Sequence, residues 1–284
     1  MRMLPKHAGW LRRIPTRWWS LVSAAAVMVV FAIALGLSGC QEGLIYYPRP
    51  YPPQAALEDG LQAVRYHTDQ GIQVSYLRPP HGQLHRLWIF FGGNGGLARG
   101  WSGVLNSWPR DDALLLIEYP GFGSCEGAPS PAHILSATVA AIDASAVLLQ
   151  VRREAMCQDY GVLGHSLGCA TALQCADAVP GCGHIALFAP FTTLRDMARL
   201  HVGWPLCYLL LHNFDNGARL QDLSRRRPVP TIGIASGDQD EVIPWSMGKR
   251  LSAIVRGTHF WLLPGHNHLS ILEAIDDVLP VVGR

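Results

Sequence analysis

Short apolar runs alternate with stretches of helical period along this chain, and each run stops at a loop rich in glycine or aspartate. That pattern limits the fold more than any other feature. Leu61 to His67 and Ile72 to Leu77 read as two strands joined at Gln70-Gly71, a hairpin. Further strands are expected at His85 to Phe91, Ala113 to Gly121, Tyr160 to Gly164, His184 to Phe191, Pro230 to Gly237 and Thr258 to Gly265. Helices are expected over Ala132 to Met156, Ser166 to Ala178, Pro244 to Ile254 and Leu269 to Val281. Continuously apolar strands are buried on both faces, as in a parallel sheet covered by helices. The fold class is therefore α/β, with a mostly parallel central sheet. In such sheets ligands bind beyond the carboxyl ends of the strands, so the post-strand loops are where chemistry is sought.

One of those loops is "GVLGHSLGCA", Gly161 to Ala170. Ser166 follows a strand and opens a helix with a glycine two residues to either side, the context in which G-x-S-x-G marks a nucleophile. The turn exposes the hydroxyl, and the glycines let strand and helix approach. The helix N-terminus offers amides to a developing anion. A serine nucleophile needs a base and an orienting acid, in this fold in the chain order Ser, Asp or Glu, His. Asp240, in "SGDQDEVIP", and His266, in "PGHNHLS", both follow strands and fill those roles. Asp238, Glu241 and His268 are their rivals, and the side chain of His165 is expected to point away from the hydroxyl. The oxyanion donors are assigned to the amides of Leu167, directly after the nucleophile, and of Asn94, in "FFGGNGG". No G-K-[ST] follows that glycine run, which excludes a phosphate loop.

The N-terminus carries a different message. Arg2, Lys6, Arg12, Arg13 and Arg17 form a basic region without acidic residues, and Trp18 to Gly39 is uncharged. This is a secretory layout. Its closing Leu37-Ser38-Gly39-Cys40 resembles the lipobox of bacterial lipoproteins, in which Cys40 becomes the lipid-modified first residue. The alternative is an uncleaved transmembrane anchor. Both put the chain outside the cytoplasm and on a membrane. Gln41 after the cysteine points to the outer membrane facing the periplasm. We divide the chain into a signal (1–39), a Pro- and Tyr-rich tether and lead-in (40–60) and one catalytic domain (61–284).

Five of the 23 basic residues fall within the signal and none of the 21 acidic ones do, so the remaining chain carries a net charge of −3. With no basic stripe beyond Arg225-Arg226-Arg227, a nucleic-acid partner is excluded. Six cysteines remain after Cys40. None has C-x-x-C spacing, so no metal is expected. An exported protein can form disulfides, and Cys157 with Cys182 is the pair suggested if their strands are parallel neighbours. Oligomeric state is not readable.

These residues together resemble the alpha/beta-hydrolase superfamily. The nearer resemblance is to membrane-associated serine hydrolases that include protein depalmitoylases and their bacterial relatives. "LIYYPRP", "EYPGFGSCEGAPS" (Glu118 to Ser130), "GHSLG", "APFTTLRDMA", "GDQDEVIP" and "PGHNH" carry it. The family has His-Gly-Asn where this chain has Gly92-Gly93-Asn94, which removes a side chain that braces the oxyanion loop. The resemblance implies a serine hydrolase that needs no cofactor and acts on ester or thioester bonds of an acylated substrate. A peptidase and a non-catalytic envelope lipoprotein are the alternatives. Residues 192–229, rich in Trp, Tyr and Leu, form either a small cap shaping an acyl pocket or a connection covering the core.

Overall fold

The computed structural model of the chain describes residues 43, 45–53, 56–58, 60–105 and 108–283. The signal and Cys40 lie outside them. Eight strands form one sheet: β1 (Gln62–Thr68), β2 (Gly71–Arg78), β3 (Leu87–Phe91), β4 (Ala113–Ile117), β5 (Tyr160–His165), β6 (Cys182–Phe188), β7 (Thr231–Gly237) and β8 (His259–Leu263). Their spatial order is β1-β2-β4-β3-β5-β6-β7-β8. β2 runs antiparallel to β1 and to β4, and every later pairing is parallel. Helices of eight or more residues are α1 (Pro131–Leu148), α2 (Leu167–Ala178), α3 (Leu194–Val202), α4 (Asn216–Ser224), α5 (Trp245–Ser252) and α6 (Ile275–Val282).

The strand side chains divide between two cores. Leu87, Ile89 and Phe91 join Ala137 of α1, Leu173 of α2, Leu220 of α4 and Leu251 of α5 on one face. Trp88 and Phe90 join Trp101, Trp108 and α6 residues Ile275, Val278 and Leu279 on the other. This burial on both faces is what the unbroken apolar runs require.

Three elements end earlier than their apolar runs suggest, each for a local reason. α1 stops at Leu148 because Gln150 takes φ 56° and turns the chain into a separate helical turn at Arg153–Met156. β4 stops at Ile117, after which Glu118 turns inward to accept the Tyr51 hydroxyl at 2.5 Å. β6 stops at Phe188, since Ala189 adopts φ 53°.

β5 and β6 are parallel neighbours, as the cysteine argument requires, yet Cys157 and Cys182 are free. The register explains this. Tyr160, not Cys157, sits opposite Cys182, whose thiol bonds to the His184 carbonyl instead.

Residues 192–229 resolve into two halves. Thr193 and Asp215 cap α3 and α4 with their side chains and bridge to each other. Phe214, Leu220 and Leu223 are fully buried, so the second half covers core. Trp204, Leu206, Tyr208 and Leu211 are exposed.

Candidate active site

The sheet order reverses around β3, with β4 on one side and β5 on the other, and this opens a crevice at the strands' carboxyl ends. Two turns enter it: Gly92–Gly96 after β3 and Ser166, between β5 and α2. Ser166 holds φ 56° and ψ −119°, backbone that a non-glycine residue adopts only when its surroundings impose it. Packing imposes it here. A Cβ at Gly164 would lie 2.3 Å from the Gly168 carbonyl oxygen, and one at Gly168 would lie 2.1 Å from the Phe91 carbonyl oxygen. Strand and helix therefore touch backbone to backbone on both sides of the serine. The Ser166 amide donates to the Phe188 carbonyl at 2.9 Å, tying the turn to β6. Leu167 is the first residue of α2, so its amide has no acceptor within the helix.

Asp240 follows β7 and its side chain is 1% exposed. One oxygen accepts the amides of Val242 at 2.9 Å and Ile243 at 2.8 Å, while the other lies 2.9 Å from Nδ1 of His268. Burial by itself would raise its pKa. The His268 ring and the two amides outweigh burial and hold the carboxyl below its ordinary value.

The histidine assignment from sequence is corrected here. His268, not His266, lies on Asp240. Asn267 accepts the amides of Leu269 and Ser270 through its Oδ1 at 3.0 and 2.9 Å, and this turn sends the two flanking rings apart. His266 is directed onto the Ser270 carbonyl at 2.9 Å. His268 is further fixed by its own carbonyl, which accepts Nε2–H of His165 at 2.8 Å. His165 is buried, and burial followed by the adjacent His268 lowers its pKa to about 4, so it stays a neutral brace. Sequence reasoning gave His165 no role. Its neighbour's carbonyl is 103 residues away in the chain, and no local signal could have found it.

Asn94 lies on the cavity wall, and its side chain performs a task of its own. Nδ2 donates to Ile45 O at 2.6 Å, and Oδ1 accepts the Tyr47 amide at 3.0 Å. The Tyr119 hydroxyl donates to Gly92 O at 2.8 Å. These bonds hold the Gly92–Gly96 loop in place.

A second buried group joins the lead-in to this loop. Glu118 accepts the Tyr51 hydroxyl and, at 3.2 Å, the Ala98 amide. Arg99 lies over the Tyr51 ring and pairs with Glu58 at 2.8 Å. Burial pushes the Glu118 carboxyl up to about 7, against the Tyr51 and Ala98 hydrogen bonds. Between its unfolded value of 4.5 and about 7 the folded chain keeps a proton that the unfolded chain has released. Stability therefore falls as pH rises through that window. Glu118→Gln, neutral throughout, should flatten the fall. Thermal unfolding at pH 5 and pH 8 reads this, and an unchanged slope would remove Glu118 as its cause.

Ser166, His268, Gly93 and Asn94 line one cavity of about 810 Å³, closed on other sides by Tyr47, Tyr51, Trp101, Leu269 and Leu272. The residues lining this cavity come from 47–58, 92–101, 165–166 and 268–272, not from 192–229. Among the described residues, one group has side chains close enough to share a metal ion: His85, Asp111 and Asp112. It lies at the starts of β3 and β4, the opposite edge of the sheet from Ser166.

The strand order, the antiparallel β2 and the strained serine at the end of β5 define an alpha/beta-hydrolase fold. Solved structures agree. A hydrolase from Pseudomonas aeruginosa PA01 has a TM-score of 0.59 at 17% identity, covering 78% of this chain and 98% of that one. The esterase PF2001 of Pyrococcus furiosus has 0.58 at 12%, covering 82% and 93%. Est1E from Butyrivibrio proteoclasticus has 0.58 at 16%, covering 78% and 99%. In sequence, the protein YfhR of Salmonella typhi is 30% identical over 176 residues, 58% of this chain and 57% of that protein. That match spans less than two thirds of the Salmonella protein. YfhR of Escherichia coli K12 is 24% identical over 268 residues, 91% and 88% of the two chains. No family model matches the chain.

Proposed function

We propose that this chain is a serine hydrolase that cleaves carboxylic ester or thioester bonds through an acyl-enzyme formed on Ser166. The observation that carries the reading is a strained serine on the same cavity as a histidine whose far nitrogen is held by a buried aspartate. The hydrolase and esterases that share the fold lend it support. In this reading Ser166 Oγ attacks the substrate carbonyl carbon and Nε2 of His268 takes its proton. Asp240 fixes Nδ1–H and stabilises the imidazolium. The amides of Leu167 and Asn94 receive the oxyanion. Return of the proton expels the alcohol or thiol, and a water activated by His268 then releases the acid. The apolar rings of Tyr47, Tyr51 and Trp101 suit an acyl group, and the cavity lies within the range usual for small ligands.

We further propose that the enzyme is lipid-anchored through Cys40 in the bacterial envelope, at the outer membrane facing the periplasm. Its substrate is acylated, as for the depalmitoylase-like branch that the motifs resemble. Support for the anchor comes from the uncharged run Trp18 to Gly39 ending at Cys40.

A fluorophosphonate probe tests the chemistry. The wild-type chain should label and Ser166→Ala should not. Absence of labelling in the wild type, or equal labelling of the variant, ends the hydrolase reading. A p-nitrophenyl ester series of increasing chain length then reads the acyl preference.

A further inference from the structure

The exposed side of residues 200–211 has no use in the site described above. Leu200, Val202, Trp204, Leu206, Tyr208 and Leu211 are each more than half exposed, with Trp204 at 72%. Six large apolar side chains within twelve residues form an unusual surface for a chain that meets only water. From Met197 to Asn213 there is no Asp or Glu, while Arg199 and His201 stand exposed on the same segment. Apolar and aromatic residues beside an arginine, with no carboxylate, are the composition that an anionic lipid surface attracts.

The place where this segment meets the lead-in points to the same occupant. His212 packs on Tyr46, ring centroids 5.9 Å apart. Tyr46 lies six positions after Cys40, a reach of at most about 22 Å. A membrane that holds Cys40 is therefore within that reach of the segment's end. Tyr47 and Leu269, on the cavity, are also well exposed.

We propose that residues 200–211 are a lipid-docking face, seated in the headgroup and outer acyl layer of the membrane that anchors the chain. The proposal rests on the anchor reading above. It assigns the exposed rings of Trp204 and Tyr208 to the interface, where an apolar body and a polar tip are both accommodated.

The test uses the full chain in phosphatidylethanolamine–phosphatidylglycerol vesicles, with and without bromine on the acyl chains. The difference in emission between wild type and Trp204→Phe isolates one indole of the six that remain in the chain anchored at Cys40. More than half of that difference should be quenched by bromine. In a Leu200→Ser, Leu206→Ser background the quenching should fall at least twofold. If the chain floats with the vesicles while Trp204 emission is unquenched, whether the ring faces water or a second copy, this proposal fails and the anchor stands. A chain that does not float defeats the anchor reading and this proposal with it, a result seen without any tryptophan signal.

Discussion

His268→Ala should lower the rate of ester hydrolysis by at least about 10³-fold, while His266→Ala stays within about tenfold of wild type. A single residue, Asn267, separates these histidines, and their proposed roles divide on hydrogen bonds alone. His268 has Nδ1 on the Asp240 carboxylate at 2.9 Å and lines the cavity with Ser166. His266 has Nδ1 on a backbone carbonyl and is absent from the cavity wall. Truncating His268 removes the only ring in contact with Asp240 among the described residues, so no base is left for the serine. The local backbone should survive, because His165 holds residue 268 through its carbonyl and Asp240 keeps two amides. Kinetics with p-nitrophenyl acetate, run beside a thermal melt of each variant, measure both effects. The opposite ranking, with His266→Ala inactive and His268→Ala active, would overturn the proposed triad of Ser166, His268 and Asp240.

Gly168→Ala should cost several degrees of melting temperature and nearly all probe labelling. An ordinary glycine-to-alanine change in a helix stabilises by roughly 1 kcal/mol, because alanine loses less backbone freedom on folding. At 168 a Cβ would stand 2.1 Å from the carbonyl oxygen of Phe91 and 2.7 Å from that of Gly92. Both atoms are backbone at the end of β3, where no side chain can swing aside. Either α2 retreats from the sheet or the Gly92–Gly96 loop moves. Overpacking of this kind costs about 1–3 kcal/mol, or roughly 2–10 °C in a domain of this size. The displaced loop carries Asn94, so reactivity should fall further than stability. Gly103→Ala is the control, since a Cβ there meets nothing within 4 Å. Its melting temperature should stay within about 2 °C of wild type. If Gly168→Ala melts and labels like Gly103→Ala, the contact that forces the serine's strain is not as tight as described.

The sheet was legible because its strands are buried on both faces. Leu87 to Phe91 and Ala113 to Ile117 have no polar residue, and such runs have one stable use in a chain of this length. The elbow was legible because its cause is local. Two glycines and a serine between strand and helix specify a steric arrangement that involves few other residues. Element ends were read less well. They depend on single residues such as Gln150 and Ala189, which take positive φ although neither is a glycine.

The choice between His266 and His268 belongs to a different level. Both follow the last strand, both lie in one short loop, and both fit the order of nucleophile, acid and base. The acid that selects between them is 28 residues upstream of His268 in the chain, and only the adjacency of β7 and β8 brings it near. The same holds for residues 192–229. Their composition promised apolar contact but not its direction, and in the fold Leu200, Val202, Trp204, Leu206, Tyr208 and Leu211 face outward. Sequence by itself determined the layered α/β fold and the tight, glycine-flanked turn at Ser166, because burial pattern and close backbone contact are written in neighbouring residues. Tertiary structure alone decided which histidine Asp240 holds and which surface stays apolar in the open, because both depend on the pairing of strands and loops that are distant in the chain.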